Sequence, residues 1–332
     1  MPQFRIEGAG SRRLFLAGAA ALAALPAAAR AQDITANPSP PNQDAASLAA
    51  KTDAASHLTV AVTVNGRPYN FVIDTGAERS VIADDVVTAL GLPLGPTVMV
   101  DGIARRIEAP TVMVDELGFG PFSLQKLNMP ILPRLSLIAD GYLGLDAVNN
   151  SRVTFDFKHH TLTIEQPKQA FVPDVDAAET ARIKARGSAG HLRVVDCVVD
   201  GVEATAFIDS GAEVSIGNPA LFAALKARNP ALQQRDGMVL SGATGGEMIG
   251  QAIPVSRIRL QHLAFTDGTL VIADVPDFGN WDLHDHPALL IGMDYLRQFS
   301  RVSIDYRAKL IRFELALAPP NPTPGVEIGV TV

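Results

Sequence analysis

The chain has one cysteine, Cys197, in 332 residues. An internal disulfide is therefore excluded, and so is a zinc site built on cysteines. Its setting, LRVVDCVVDG, is apolar and fits a buried thiol better than a nucleophile. No run of lysines and arginines is present, and the formal net charge is −7. Both features argue against a nucleic-acid surface. No Gly-x-Ser-x-Gly occurs, so a serine-hydrolase reading has no anchor. SGATGG lacks the Gly-Lys-[Ser/Thr] that a phosphate-binding loop needs. Regular strand–helix alternation of the dinucleotide-binding kind is missing too.

What is present begins with a leader. Ser11-Arg12-Arg13-Leu14-Phe15-Leu16 resembles the twin-arginine signature, an apolar run from Leu14 to Ala29 follows, and Ala29-Arg30-Ala31 offers a small-residue cleavage site. The run is too short for a comfortable membrane span. Residues 1–31 are thus expected to be an export signal. The mature protein would start near Gln32, periplasmic or secreted, with no stable membrane span once the signal is removed. Residues 32–56 are rich in Pro, Ala, Ser and Asn and read as a flexible linker. Residues 316–332 read as a tail. Residues 167–190 carry prolines and charges and read as an inter-lobe linker with room for a short helix.

The two remaining segments, 57–166 and 191–315, repeat each other. Each opens with His-Leu and then has two β-rich runs joined by Asn65-Gly66 or Asp200-Gly201, strong hairpin signals. IDTGAERSVI then matches IDSGAEVSIG, and each is followed by a helical stretch, ADDVVTALGL or NPALFAALKA. Later Tyr142-Leu143-Gly144-Leu145-Asp146 matches Leu290-Ile291-Gly292-Met293-Asp294, and RVTFDFKHHTLTIE matches RVSIDYRAKLIRFE without a gap. Four matched blocks in one order indicate internal duplication. The fold expected is all-β, two barrel-like or sandwich-like lobes with short helices.

At the heart of the repeat an apolar strand ends on Asp74 or Asp209. A carboxylate there resists ionisation unless something stabilises the charge. Two such loops related by an approximate two-fold axis would face one another and share a single proton, with one apparent pKa raised and the other lowered. Such a pair can polarise a water against a carbonyl carbon and needs neither a covalent intermediate nor a metal. Asp-Thr-Gly-Ala and Asp-Ser-Gly-Ala, with Leu143-Gly144 and Ile291-Gly292 downstream, resemble the retropepsin-like (retroviral-type) aspartic peptidases. The resemblance covers roughly residues 57–315 and implies a bacterial single-chain, two-lobe member. It implies retropepsin- or pepsin-like β-barrel lobes related by a pseudo-two-fold axis. It implies catalytic roles for Asp74 and Asp209, and supporting roles for Thr75, Gly76 and Ala77 and for Ser210, Gly211 and Ala212. Glu78 and Glu213 stand where retroviral members usually carry Asp.

The family's hairpin flap has two candidates, Val98–Glu108 and Val239–Ile253. Their expected substrate-binding tips are Asp101, Gly102 and Ile103, and Gly242, Ala243, Thr244 and Gly245. The expected partner is an extended peptide or protein; no nucleic acid, cofactor or metal is expected. DLHDH at 282–286 reads as a solvated loop rather than a metal site, and His159 and His160 read as surface residues of a hairpin turn. A monomer is expected, with lobe pairing between two chains as the alternative. The competing function is an inactive module of the same fold that binds extended peptides in the bacterial envelope.

Overall fold

Alternation builds the first lobe. Along LTVAVTV, Val60, Val62 and Val64 are buried while Ala61 and Thr63 face solvent, the period of a strand with one face on a core. The computed structural model describes residues 3–6, 45–49, 51–52, 58–120, 122–166, 180–187, 192–235 and 237–315. In chain order the elements begin with β1 (Gln3–Ile6), β2 (Ala45–Ala49) and β3 (Lys51–Thr52). The first lobe follows as β4 (Leu58–Val64), β5 (Arg67–Ile73), β6 (Val81–Ala83), α1 (Asp84–Leu90), β7 (Leu94–Val100), β8 (Ile107–Phe119), β9 (Phe122–Leu132), α2 (Arg134–Leu137), β10 (Gly141–Leu143) and α3 (Leu145–Val148). Between the lobes lie β11 (Arg152–Asp156), β12 (Thr161–Glu165) and β13 (Thr180–Arg186). The second lobe is β14 (Arg193–Val199), β15 (Val202–Ile208), β16 (Ile216–Gly217), α4 (Pro219–Arg228), β17 (Gly237–Ser241), β18 (Glu247–Leu260), β19 (Leu263–Ile272), α5 (Pro276–Asn280), β20 (Ala288–Ile291) and α6 (Met293–Leu296), closed by β21 (Arg301–Asp305) and β22 (Leu310–Glu314).

Each lobe closes on itself by the same path. In the first, the ring runs β4-β5-β10-β6-β9-β8 and returns to β4. In the second it runs β14-β15-β20-β16-β19-β18 and returns to β14. The protein is thus mostly β, with two lobes built as copies. The turns match as well: Asn65 and Gly66 have φ of 49° and 79°, and Asp200 and Gly201 have 44° and 83°. Two consecutive positive φ values make the tight hairpin that Asn-Gly and Asp-Gly favour. The interiors are filled by Phe71, Leu117, Met129 and Leu143 in one lobe and by Phe265, Leu289, Ile291 and Tyr295 in the other.

A third sheet joins the lobes, in the order β13-β22-β21-β11-β12-β2. Its central pair is β11 against β21, one strand from each copy. The outer strands revise the reading of two segments as linkers. Residues 32–56 contain β2, which pairs with β12, and β3, which pairs with β4. Residues 167–190 contain β13, which pairs with β22. Where a short helix had room, residues 180–186 are extended, with Ala181, Ile183 and Ala185 buried on one face. The free edge of β22 offers this segment a full ladder of backbone hydrogen bonds, which outweighs the helix propensity of Ala, Lys and Arg. Of the expected export signal, only Gln3–Ile6 is described, as a strand on β19; the twin-arginine stretch, the apolar run and the 316–332 tail lie outside the described residues. No helix among the described residues is long and apolar enough to cross a membrane.

Candidate active site

Each motif aspartate is held by its own lobe from behind. Asp74 follows the buried Phe71-Val72-Ile73, and its N–H donates to Leu143 O at 3.0 Å. Asp209 follows Phe207-Ile208, and its N–H donates to Ile291 O at 3.0 Å. The strands that supply these carbonyls, β10 and β20, run parallel to β5 and β15. Gly144 and Gly292 end them because nothing larger fits. A Cβ on Gly144 would lie 2.5 Å from Arg79 C, and one on Gly292 2.8 Å from Ala212 O.

The two loops then meet across the lobes. The Thr75 hydroxyl donates to Ile208 O at 3.1 Å and accepts the Ser210 N–H at 2.9 Å. The Ser210 hydroxyl donates to Ile73 O at 2.8 Å and accepts the Thr75 N–H at 3.1 Å. All four bonds are buried, where an unmade bond would cost about 1–3 kcal/mol. This exchange sets the spacing of the carboxyls. A Cβ on Gly76 would fall 2.7 Å from the Asp209 carboxyl, and one on Gly211 would fall 2.5 Å from that of Asp74. Each acid therefore rests over the other loop's glycine, and any side chain there would displace it.

Local donors hold the acids in place. Asp74 Oδ1 accepts the N–H groups of Gly76 at 2.9 Å and Ala77 at 3.1 Å. Asp209 Oδ1 accepts the Gly211 N–H at 2.9 Å. Ala77 and Ala212 give their carbonyls to Leu145 N and Met293 N. Burial pushes the Asp74 carboxyl up, the facing Asp209 adds to it, and the two N–H donors offset only part; it titrates at about 8 against an ordinary 3.8. At neutral pH the facing carboxyls thus hold a proton between them, the condition for a pair that acts as acid and base together.

Sequence reasoning missed the residues that brace these loops. Asp146 Oδ1 accepts both the Ser80 N–H at 2.8 Å and the Ser80 hydroxyl at 2.7 Å, and that hydroxyl accepts the Gly144 N–H. The second lobe repeats this with Asp294, Ser215 and Gly292. The signal was visible, since both serines and both aspartates match in the repeat. Glu213 takes a structural arginine, with two 2.9 Å bonds from Arg297. The register puts Asn149 at Arg297's place in the first lobe. Asp277 in α5 also escaped notice. It is mostly buried, and burial, Asp209, Asp101 and Glu78 together push it up to about 6.

The two candidate flaps are both hairpins, β7–β8 and β17–β18. Their tips touch each other, which spacing alone does not reveal. Thr244, 1% exposed, donates its hydroxyl to Arg105 O at 2.9 Å, and Arg105 Nε donates to Thr244 O at 3.1 Å. Gly102 makes room, since a Cβ there would sit 2.2 Å from Thr244 Oγ1. Gly242 lies against Ile103 N, and Gly245 turns with φ of 72° while its N–H donates to Gly242 O. Ile103 packs on an apolar cluster of the second lobe with Val214, Met248 and Trp281, whereas Ala243 packs on the main core. Asp101 pairs with Arg106, which also reaches Asn280 Oδ1 at 3.4 Å. Elsewhere, His284 pairs with Asp285 and both are exposed; His159 pairs with Asp156 in the hairpin turn. Cys197 is buried, and burial pushes its thiol up to about 12, which makes it inert.

The sequence profile of the family described as "Aspartyl protease" matches residues 60–147 and 195–295, one stretch in each lobe. The chain belongs to the aspartyl protease family. It is a two-lobe member of the retropepsin-like kind, and its family makes it a protease acting on peptides. No curated protein matches the chain. In this aspartyl protease both family-matched stretches contain one Asp-[Thr/Ser]-Gly-Ala loop and the Gly strand behind it.

Proposed function

We propose that this protein is an endopeptidase in which Asp74 and Asp209 are the catalytic residues. The observation that carries the reading is the reciprocal seating of each carboxyl over the opposing glycine. That seating brings two acids to one point, with Asp74 raised to about 8 by burial and by Asp209. A water held between them loses a proton to the ionised carboxylate as it attacks the peptide carbonyl. The protonated partner donates to the carbonyl oxygen. The carboxyl that took the water's proton then passes it to the leaving amine as the C–N bond breaks, and a hydroxyl of the gem-diol returns a proton to the partner, so the proton count closes over one turnover. Thr75 and Ser210 keep the loops at this spacing. The peptide lies extended beneath the paired tips of residues 101–103 and 242–245, which must part to admit it.

One chain supplies both loops, so the proposed working form is a monomer. The proposed location is the periplasm or the exterior, reached by the signal in residues 1–31. The test is cleavage of a peptide library by the mature protein and by Asp74→Asn and Asp209→Asn. Each variant is expected to lose at least about 100-fold in kcat/KM, the scale of general acid–base catalysis. Either one retaining the wild-type rate would sink the assignment. Peptide binding without turnover at any pH would instead identify an inactive module.

A further inference from the structure

Beneath the carboxyl pair lies a narrow cavity with room for about one water. It is walled by Thr75, Gly76, Asp209, Ile304, Tyr306 and Ile311. Tyr306 is 6% exposed, and its hydroxyl is buried without a hydrogen-bond partner. Thr75 is the hydroxyl it approaches, without hydrogen-bond geometry. Thr75 Oγ1 has one donated and one accepted bond, which leaves a lone pair free for a further donor.

The register mate of Tyr306 in the first lobe is Phe157. Their backbones are equivalent: Phe157 N donates to Ser300 O at 2.9 Å, and Tyr306 N donates to Ser151 O at 3.2 Å. Their side chains differ, for Phe157 stacks on Phe155 and carries no hydroxyl. A buried phenol with no partner costs about 1–3 kcal/mol, and the phenylalanine used at the matching place would avoid that cost. The retained hydroxyl stands under one side of the pair only.

We propose that Tyr306 is a positioning residue for Asp74 and Asp209. From below, its phenol donates to the Thr75 hydroxyl once substrate closes the lobes, and so favours the ionised form of the pair. Hydrogen bonds of this kind are often long in the empty site and tighten in the complex. The phenol remains a donor throughout, because burial first, then Asp74 and Asp209, push its proton loss far above neutral pH. The charged groups that face the assembly are Asp74 and Asp209 above the phenol and Asp277 beside the pair. A donor that favours the charged form lowers a carboxyl's pKa, so removing it moves ionisation to higher pH.

The inference rests on the peptidase reading and is tested with Tyr306→Phe in the full-length protein. Expected are a fall in kcat of about ten-fold with KM within about two-fold. The acid limb of the kcat/KM profile moves to higher pH, and Tm below pH 5 stays equal or rises, because an unpartnered hydroxyl is gone. An unmoved kcat and acid limb would overturn it, as would a kcat loss that merely follows a lower Tm. If the wild type cleaves no peptide, the peptidase reading fails by itself. The phenol's effect on the acid pair is then read from Tm against pH with saturating bound peptide, the state in which the phenol donates to Thr75; there the loss of stability must extend to higher pH in Tyr306→Phe. No such shift would overturn the positioning role independently of turnover.

Discussion

The Thr154 hydroxyl donates to the Ser303 hydroxyl at 2.9 Å, and the two residues are register partners in β11 and β21. They are also equivalents in the repeat, so the approximate two-fold axis passes between them. Two arginine-centred ion-pair clusters flank them. Arg152 binds Asp305 at 3.0 and 2.7 Å and Glu165 at 2.6 Å, while Arg301 binds Asp156 at 2.7 Å and Glu314 at 3.1 Å. The sheet that fixes one carboxyl against the other is thus clamped by two crossed Arg–Asp contacts.

The clamp is unequal, which gives the first prediction. The Asp305 side chain is 1% exposed, and that of Asp156 is 10% exposed and also held by His159. Removing the guanidinium from a fully buried carboxylate leaves an uncompensated charge and costs about 3–5 kcal/mol. Arg152→Ala is therefore expected to lower urea-unfolding stability by that amount, and Arg301→Ala by clearly less. Equal losses would show that the lobes are not clamped through Asp305.

The motif acids are held against their own stability. The raised pKa of Asp74, about 8 against 3.8, makes a stabilising contribution that is complete below pH 4. It is lost as pH rises towards 8, at up to about 1.4 kcal/mol per unit. Asp156, lowered to about 2, works in the opposite sense and matters only in strong acid, where its contribution is lost as pH falls through 2. Asp74→Asn should flatten the decline between pH 4 and 8 and raise Tm at pH 7 while abolishing cleavage. A Tm lower than wild type at pH 7 would contradict the buried, like-charged setting of the pair.

Much of this arrangement was legible because duplication prints itself on sequence. FVIDTGA and AFIDSGA, the Asn65-Gly66 and Asp200-Gly201 turns and the Gly144 and Gly292 strands could be aligned by eye, and each landed in equivalent structure. What escaped lies where partner, not pattern, decides. β13 is spelled TARIKAR, helical by propensity, and is a strand only because β22 has an edge to fill. Arg105 and Thr244 meet from different lobes, with nothing local to announce it. Tyr306 and Asp277 break the repeat, so the duplication does not mark them. Asp146 and Asp294 were seen as landmarks, yet their role needed the serines to be placed beside them.

The flap contact gives a prediction with an internal rescue. In Gly102→Ala the new methyl would stand 2.2 Å from Thr244 Oγ1 and 2.8 Å from its Cγ2. The Thr244 side chain must leave, and its bond to Arg105 O goes with it. KM should rise about ten-fold with a smaller change in kcat, since uniform binding is what the tips supply. Adding Thr244→Ala removes the two closest contacts and leaves its Cβ at 3.0 Å, so the double variant should recover the part of KM lost to the clash but not the part lost with the bond to Arg105 O. Failure of the second substitution to help would mean that the clash is not what raises KM.

Asp277 should set the alkaline limit of activity. Its carboxyl titrates at about 6 and then adds to the charge that raises the proton affinity of Asp74. Above pH 6 it therefore helps Asp74 keep the proton that the carbonyl oxygen requires. Asp277→Asn takes that charge away, so Asp74 loses its proton at lower pH. The basic limb of kcat/KM must move to lower pH, while the rate near pH 5, where Asp277 is neutral in either protein, changes little. Added salt should leave most of the shift in place, because a mostly buried pair is poorly screened. A basic limb that stays put in Asp277→Asn would show that Asp277 does not act on the Asp74 proton.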